Sequence, residues 1–294
     1  MTASRLDIHQ LITNQIITAI ESGAGEFKLP WHRSGVDLFH PRNIASHSAY
    51  RGVNILTLWL IADTRGYHSG LWGTFNQWVA LGAKVRKGEK AAYVVFYKEI
   101  TSSNDDDMEK SNSRHIARAT PVFAAEQVDG YDIETPTLGS GAPFNVNSEV
   151  QDFIKKTGAM IFHGGEEAYY QPSTDRIHLP VKETFIGSES SSAEESYYAT
   201  LFHELTHYTG AIGRCDRDLT GRFGAKAYAM EELVAELGAA FLCSHFKISS
   251  APRQDHAQYL ANWLSVMKSD NRAIFTAASK ASRAVDFLLD HISS

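Results

Sequence analysis

Two histidines and a glutamate stand where a metal site can be built. The segment Leu201-Phe202-His203-Glu204-Leu205-Thr206-His207-Tyr208 reads His-Glu-x-x-His. Residues four apart on a helix share a face, so His203 and His207 point the same way. That spacing suits two imidazole ligands of one tetrahedral zinc. Glu204, one position on, is placed to take a proton from zinc-bound water. The motif needs a third ligand. The extended pattern His-x-x-Gly-x-x-His starts at His207-Tyr208-Thr209-Gly210, but position 213 is Gly213 and offers none. The next candidates lie in Glu231-Glu232-Leu233-Val234-Ala235-Glu236, part of an Ala- and Leu-rich helical pattern. Glu232 and Glu236 share a face. Glu232, preferred to Glu231, completes a set of two histidines and one glutamate. Glu236, one turn on, can hold the free ring nitrogen of a zinc histidine. Its neighbours Ala235, Leu237 and Ala239 are unlike those of a solvated acidic run. Tyr228 and His178 are the candidates for stabilising an oxyanion.

The elements that must carry these residues are legible from pattern. Ser192-Ala193-Glu194-Glu195 has the form of a capping box and starts the motif helix, with Gly210 as its expected C-cap. Ala168 to Gln171 and Arg176 to Leu179 read as a small hairpin around Pro172-Ser173-Thr174-Asp175. A short helix is expected from Val150 to Thr157, and amphipathic helices over 255–268 and 271–290. Upstream, helices are expected from Leu6 to Ser22, from about Gly52 to Arg65, and from Thr74 through Trp78. The Gly52–Arg65 helix is apolar nearly all round and reads as a buried core helix. The basic turn Ala83 to Lys90 leads into a strand at Ala91–Tyr97, which can pair with a strand over 118–127. Residues 101–112 form a polar acidic loop. Residues 134–148, with Pro136, Gly139, Gly141 and Pro143, are the best linker.

These elements predict an α+β protein of two domains: residues 1–133, then a linker over 134–148, then a mainly helical domain with a small sheet over 149–294. At 294 residues and 43% hydrophobic, the chain can build such cores. Cys215 and Cys243 form no disulfide framework. No signal peptide and no membrane-length apolar run is read, so a soluble, cytoplasmic protein without a membrane partner is expected. The net charge of −6 excludes a generally sticky nucleic-acid binder. Basic character is confined to the first hundred residues, which carry a net +4.

That basic stretch also holds Trp31, Trp59, Trp72 and Trp78. Aromatic rings beside Lys and Arg suit single-stranded nucleic acid, since bases stack on rings and cations follow the phosphates. The candidate contacts are Trp31, Arg33, Tyr50, Arg51, Trp72, Lys84, Arg86, Lys87 and Lys90.

The second half resembles the gluzincin metallopeptidases. More closely, Tyr169-Tyr170-Gln171-Pro172, Asp175 to Pro180, Tyr197 to His207 and Glu231 to Phe241 are similar to the peptidase half of ArdC-type antirestriction proteins. Pro30-Trp31, Asn43, Ser48 to Asn54, Trp72 to Trp78 and Gly82 to Lys90 are similar to the N-terminal domain of that family. The resemblance implies single-stranded-DNA binding by the first half and a zinc peptidase in the second. It also implies a role in protecting incoming plasmid or phage DNA from host restriction, with a host restriction component as the possible protein substrate. The rival expectations are a single-stranded-DNA-binding protein whose zinc fold is a scaffold, and a nuclease or primase accessory. Phosphodiester chemistry usually recruits magnesium through carboxylates, which argues against the last.

Overall fold

A computed structural model describes residues 7–23, 29, 31–32, 39–101, 113–133, 148–188, 190–220, 225–249 and 256–290. The acidic segment beyond Thr101, the linker up to residue 147, and Arg33 lie outside the described residues.

The first half contains helices α1 (Ile8–Gly23), α2 (Val53–Arg65) and α3 (Phe75–Ala80). Its strands are β1 (Arg42–Asn43), β2 (Leu71–Gly73), β3 (Lys84–Val85), β4 (Ala92–Thr101), β5 (Ser113–Ala124) and β6 (Val128–Asp129). One sheet has the order β1-β2-β5-β4, with β1 and β2 parallel and the rest antiparallel. The hairpin expected from the two β-rich stretches is β4–β5, pairing Ala92 with Val122 and Thr101 with Ser113. Strands β3 and β6 form a separate antiparallel pair. Thr74 caps α3 through a capping box with Gln77. Helix α2 is buried through Val53, Ile55, Leu56, Leu58, Trp59 and Ala62, as its unbroken apolar character requires. Its buried Asn54 is satisfied by the backbone of Val95, donating to the carbonyl at 2.9 Å and accepting from the amide at 2.7 Å.

The second half contains α4 (Ser148–Lys156), β7 (Met160–His163), β8 (Tyr169–Gln171), β9 (Arg176–Leu179), α5 (Ala193–Tyr208), α6 (Lys226–Phe246), α7 (His256–Ser269) and α8 (Ala273–Asp290). The expected hairpin is β8–β9. The sequence reading missed β7, which lies parallel to β9 on its other side and makes a three-stranded sheet. The whole is an α+β fold.

The two halves do not bury separate cores. One apolar cluster runs from Ile12, Ile16, Val53 and Trp59 to Leu237, Phe241 and Ala277. Trp59 packs 5.9 Å from Phe241, and Trp31 packs 6.3 Å from Trp263. Polar ties cross the same seam. The Thr13 hydroxyl donates to the Asn271 carbonyl at 2.7 Å, and the Gly52 amide donates to the Ser282 hydroxyl at 2.9 Å. The composition change at residue 134 suggests two independent units, but the faces of α1 and α2 are apolar because α6, α7 and α8 cover them. We therefore expect one cooperative unfolding transition for the metal-free chain. A fragment of residues 1–133 should expose this seam and aggregate. Two separated calorimetric transitions, or a monomeric, folded fragment, would contradict the shared core.

Candidate metal centre

Helix α5 carries the histidines, and its position is set at both ends. At the start, the Ser192 hydroxyl accepts from the Glu195 amide at 3.2 Å, while the Glu195 carboxylate accepts from the Ser192 amide at 2.8 Å. The end differs from expectation. Thr209 is the C-cap, in right-handed geometry, and Gly210 does not take the left-handed turn. Gly210 is needed for close packing instead. A Cβ there would lie 2.8 Å from the Leu219 side chain and 3.0 Å from the His207 carbonyl. A second glycine sets the spacing of the two site helices. A Cβ on Gly238 of α6 would lie 2.5 Å from the Thr206 side chain of α5, so glycine permits the close approach.

That approach brings three candidate metal donors together. The Nε2 atoms of His203 and His207 lie 3.2 Å apart. The Glu232 oxygens lie 3.5 Å from each of them. One ligand atom from each of the three residues falls within 4.8 Å of the others, and all three side chains are buried or nearly so. Two imidazole nitrogens and one carboxylate oxygen around one point match the donor set of a zincin metal site. The residues present therefore fit a zinc-type ion.

The far ring nitrogens explain the other glutamates. His207 Nδ1 donates to Glu231 at 3.1 Å. Glu231 is itself clamped by Arg217, with Nε and Nη2 each 2.9 Å from a carboxylate oxygen. Arg217 also donates to the Thr206 carbonyl at 2.6 Å and the Thr209 hydroxyl at 2.8 Å. His203 Nδ1 lies 3.5 Å from Glu236, the partner expected for it. The second Glu236 oxygen meets His32 Nε2 at 3.1 Å. His32 Nδ1 accepts the Leu29 amide at 3.1 Å, so a neutral ring carries its proton on Nε2 and donates it to Glu236. Glu231, Arg217 and His32 were not singled out as supports by sequence reasoning. His32 comes from the first half of the chain, so that half reaches the metal centre through one carboxylate.

The electrostatics follow from this crowding. Burial works against ionising Glu232, but hydrogen bonds from His203 and His207 override it and hold the carboxyl well below its usual range. Burial likewise disfavours the His207 cation, but hydrogen bonds to Glu231 and Glu232 raise its pKa from 6.5 to about 10. Without metal, a proton thus sits where the metal would. The raised value means this pairing stabilises the metal-free fold fully below pH 6.5 and is lost as pH climbs through about 10. A metal needs the neutral imidazole, so binding expels a proton. Apparent metal affinity should rise with pH by up to roughly tenfold per unit across neutrality. Chelator competition at several pH values checks this, and a flat profile would contradict it.

Glu204 is buried on α5 beside His203. Tyr228 lies one turn before Glu232 on α6 and is half-buried. His178 lies on β9, its ring stacked 4.7 Å from Tyr169 and 5.8 Å from Phe162. Cys243 is buried, burial pushes its thiol up, and neither it nor Cys215 is in a disulfide.

Comparison with solved structures places this arrangement. The crystal structure of the antirestriction protein ArdC from plasmid R388, metal-free, matches with a TM-score of 0.79 at 35% identity, covering 98% of both chains. The Mn(II)-bound structure of the same protein matches with a TM-score of 0.77 at 33% identity, covering 98% of this chain and 99% of that one. The chain belongs to the ArdC antirestriction family. The N-terminal domain of anti-restriction factor ArdC matches residues 6–128, and the zincin-like metallopeptidase family matches residues 148–280. Protein y4eC of Sinorhizobium fredii is 45% identical over 96% of this chain and 91% of its own length. Two DNA primases TraC of Escherichia coli are each 31% identical; the chain spans only 28% and 20% of their lengths.

Within this ArdC fold, the expected DNA contacts divide. Trp31, Trp72 and Tyr50 are buried, so none offers a ring face to a base. Trp31 and Trp72 sit in core clusters, and the Tyr50 hydroxyl accepts from Asn43 at 3.2 Å. Trp31 and Trp72 are corrected from platform to core, while Tyr50, though buried, lines a cavity between the halves. Arg86 spends its guanidinium on Glu89 at 2.9 Å and on the carbonyls of Glu126 and Val128, which fold the basic turn. Arg51 is exposed and paired with Asp286. Lys84, Lys87 and Lys90 are exposed. Among the described residues, the large exposed rings of this half are Tyr93, Phe96 and Tyr97 on β4 and Phe75 on α3. Among the described residues, no helix is long and apolar enough to cross a membrane.

Proposed function

We propose that this ArdC-family chain binds single-stranded DNA and hydrolyses a protein substrate at the centre held by His203, His207 and Glu232. The observation that carries the peptidase reading is the convergence of these three donors beside the buried Glu204, with a carboxylate behind each histidine. A bound zinc would supply Lewis acidity for the scissile carbonyl and a water acidic enough to be deprotonated near neutral pH. The chain's own residues do the rest. Glu231 and Glu236 fix the ring orientations of His207 and His203. Arg217 neutralises Glu231, so that carboxylate orients its histidine rather than competing for the metal. Glu204 accepts the proton of the attacking water and delivers it to the leaving amine. Tyr228, on the Glu232 face of α6, is the residue we assign to the developing oxyanion.

The DNA reading rests on family membership and on the basic, ring-bearing surface of the first half. The match to TraC adds a link to proteins that act on DNA. Primase chemistry is not carried over, because the chain spans 28% or less of those proteins, and its donor set is nitrogen-rich. The role that joins both activities is defence of incoming DNA, with a host restriction component as substrate and the cytoplasm as the place of action.

The test compares protein N-termini in cells receiving DNA and expressing either wild type or Glu204→Ala. New termini present only with wild type identify the substrate. Identical sets of termini would leave a DNA-binding protein with a structural metal.

A further inference from the structure

A cavity of about 550 Å³ opens where the two halves meet. Its lining is chemically mixed in a specific way. The floor is a fixed pair of amides: Asn43 donates to the Gln77 carbonyl oxygen at 3.2 Å, and Gln77 donates back at 3.1 Å. Asn43 Oδ1 also accepts the Ala45 and Ser46 amides at 3.0 Å each, which locks the loop around it. One wall is β4, through Val95 and Tyr97, which share a face of the strand, and the Tyr97 ring is 54% exposed. The opposite wall is α8, through Phe275, Ser279 and Arg283. Arg283 is exposed, as is Arg51, whose guanidinium is paired with Asp286 of the same helix α8.

These groups select a ligand class. Large rings half open to solvent cost apolar exposure that a stacked planar partner would remove. The preorganised floor offers hydrogen bonds at fixed positions. A guanidinium at the rim suits a phosphate. Volumes of this order hold one small planar ligand with its sugar. A duplex keeps its bases stacked and cannot place one here, whereas a single strand can. We propose that this cavity binds one nucleotide of a single strand, its base against the Tyr97 ring and its phosphate toward Arg283. The inference rests on the single-strand reading above and deepens it in one respect: the DNA site includes α8 of the zincin half. The buried Trp31 and Trp72 are thereby replaced by a ring that solvent can reach, and Tyr50 lines the same cavity.

The test is titration of the full-length chain into a short fluorescein-labelled oligothymidine strand at two salt concentrations. Tyr97→Leu keeps apolar bulk but removes the ring, and Phe96→Leu makes the same change on the opposite face of β4 as a control. Tyr97→Leu should weaken binding by roughly 5- to 150-fold, while Phe96→Leu should bind within a factor of about two of wild type. Tyr97→Phe keeps the ring and should bind within a factor of about two of wild type, which separates stacking from the hydroxyl. Arg283→Ala should weaken binding and reduce the slope of log affinity against log salt by about 0.7, the loss of one phosphate contact on a single strand. Metal content and melting temperature, unchanged in all four variants, confirm folding. If wild type binds and the Tyr97→Leu and Arg283→Ala variants bind equally well, the strand runs elsewhere and the cavity proposal falls while the single-strand reading stands. If wild type binds no single strand even at low salt, both fall.

Discussion

Glu232→Ala should leave the protein unable to retain a metal, while Glu231→Ala should retain one with weakened affinity. The two residues are adjacent and both buried, but their oxygens meet different atoms. Glu232 faces the Nε2 atoms of both histidines at 3.5 Å. Glu231 meets the back of the His207 ring at Nδ1 and is held there by Arg217. Removing Glu232 deletes a donor and leaves two nitrogens, too few for a stable zinc site. Removing Glu231 frees one ring and leaves Arg217 unpaired in a buried place, a change of the kind that costs roughly 10–100-fold in metal affinity. Glu236→Ala belongs in the same range. His32→Ala should show a smaller loss, since it acts on Glu236 rather than on a ligand. Competition against a fluorescent chelator ranks all four. The assignment fails if Glu231→Ala loses the metal and Glu232→Ala keeps it.

What the sequence revealed and what it withheld divide along the range of the interactions. His203 and His207 were legible because their relation is fixed by one turn of helix, independent of anything else. Glu232 and Glu236 were legible as a pair for the same reason. The job of Glu231 was not, because adjacent residues on a helix point about 100° apart, and which face meets His207 depends on how α6 docks against α5. That docking is set by Gly238 against Thr206, a contact between residues 32 positions apart. Arg217 and His32 were invisible for a stronger reason: they enter from a loop and from the other half of the chain. The misplaced DNA rings show the reverse problem. Trp31 and Trp72 have the composition of a stacking platform, but composition cannot distinguish a ring facing solvent from one facing Trp263 or Tyr67. Phe96 and Tyr97 looked like ordinary strand residues. Their neighbours Val94 and Val95 are both buried because β4 is covered on both faces there, by two different core clusters, and nothing in the strand's own pattern shows that this cover ends at Phe96 and Tyr97. The two-domain reading holds as two family-matched halves, residues 6–128 and 148–280, but that the halves share a core was not legible: the apolar stripe of α1 is covered in part by α7, more than two hundred residues away.

Glu204→Ala should separate the chemistry from everything else the protein does. Glu204 is buried beside His203, yet the atoms that gather at the metal position belong to His203, His207 and Glu232. Deleting its carboxylate should therefore leave metal stoichiometry unchanged. It lies in the second half on α5, away from the residues of β4 and α8 that line the cavity between the halves, so single-strand affinity should be unchanged as well. Peptide hydrolysis is the property that should collapse, by at least the roughly 10²–10⁴-fold expected for loss of a general base. Glu204→Gln, which preserves volume and hydrogen bonding but not basicity, should fall equally far; a milder loss in the Gln variant would mean that the carboxylate positions groups rather than moving a proton. With metal and DNA binding intact, survival of incoming DNA becomes a clean readout. Loss of protection in Glu204→Ala cells would tie antirestriction to proteolysis. Full protection would place it in the DNA-binding surface, with the shared core and the His32–Glu236 contact as the reason the metal centre persists beside it. Undiminished cleavage of a verified substrate by Glu204→Ala is the result that would overturn the catalytic role of this residue.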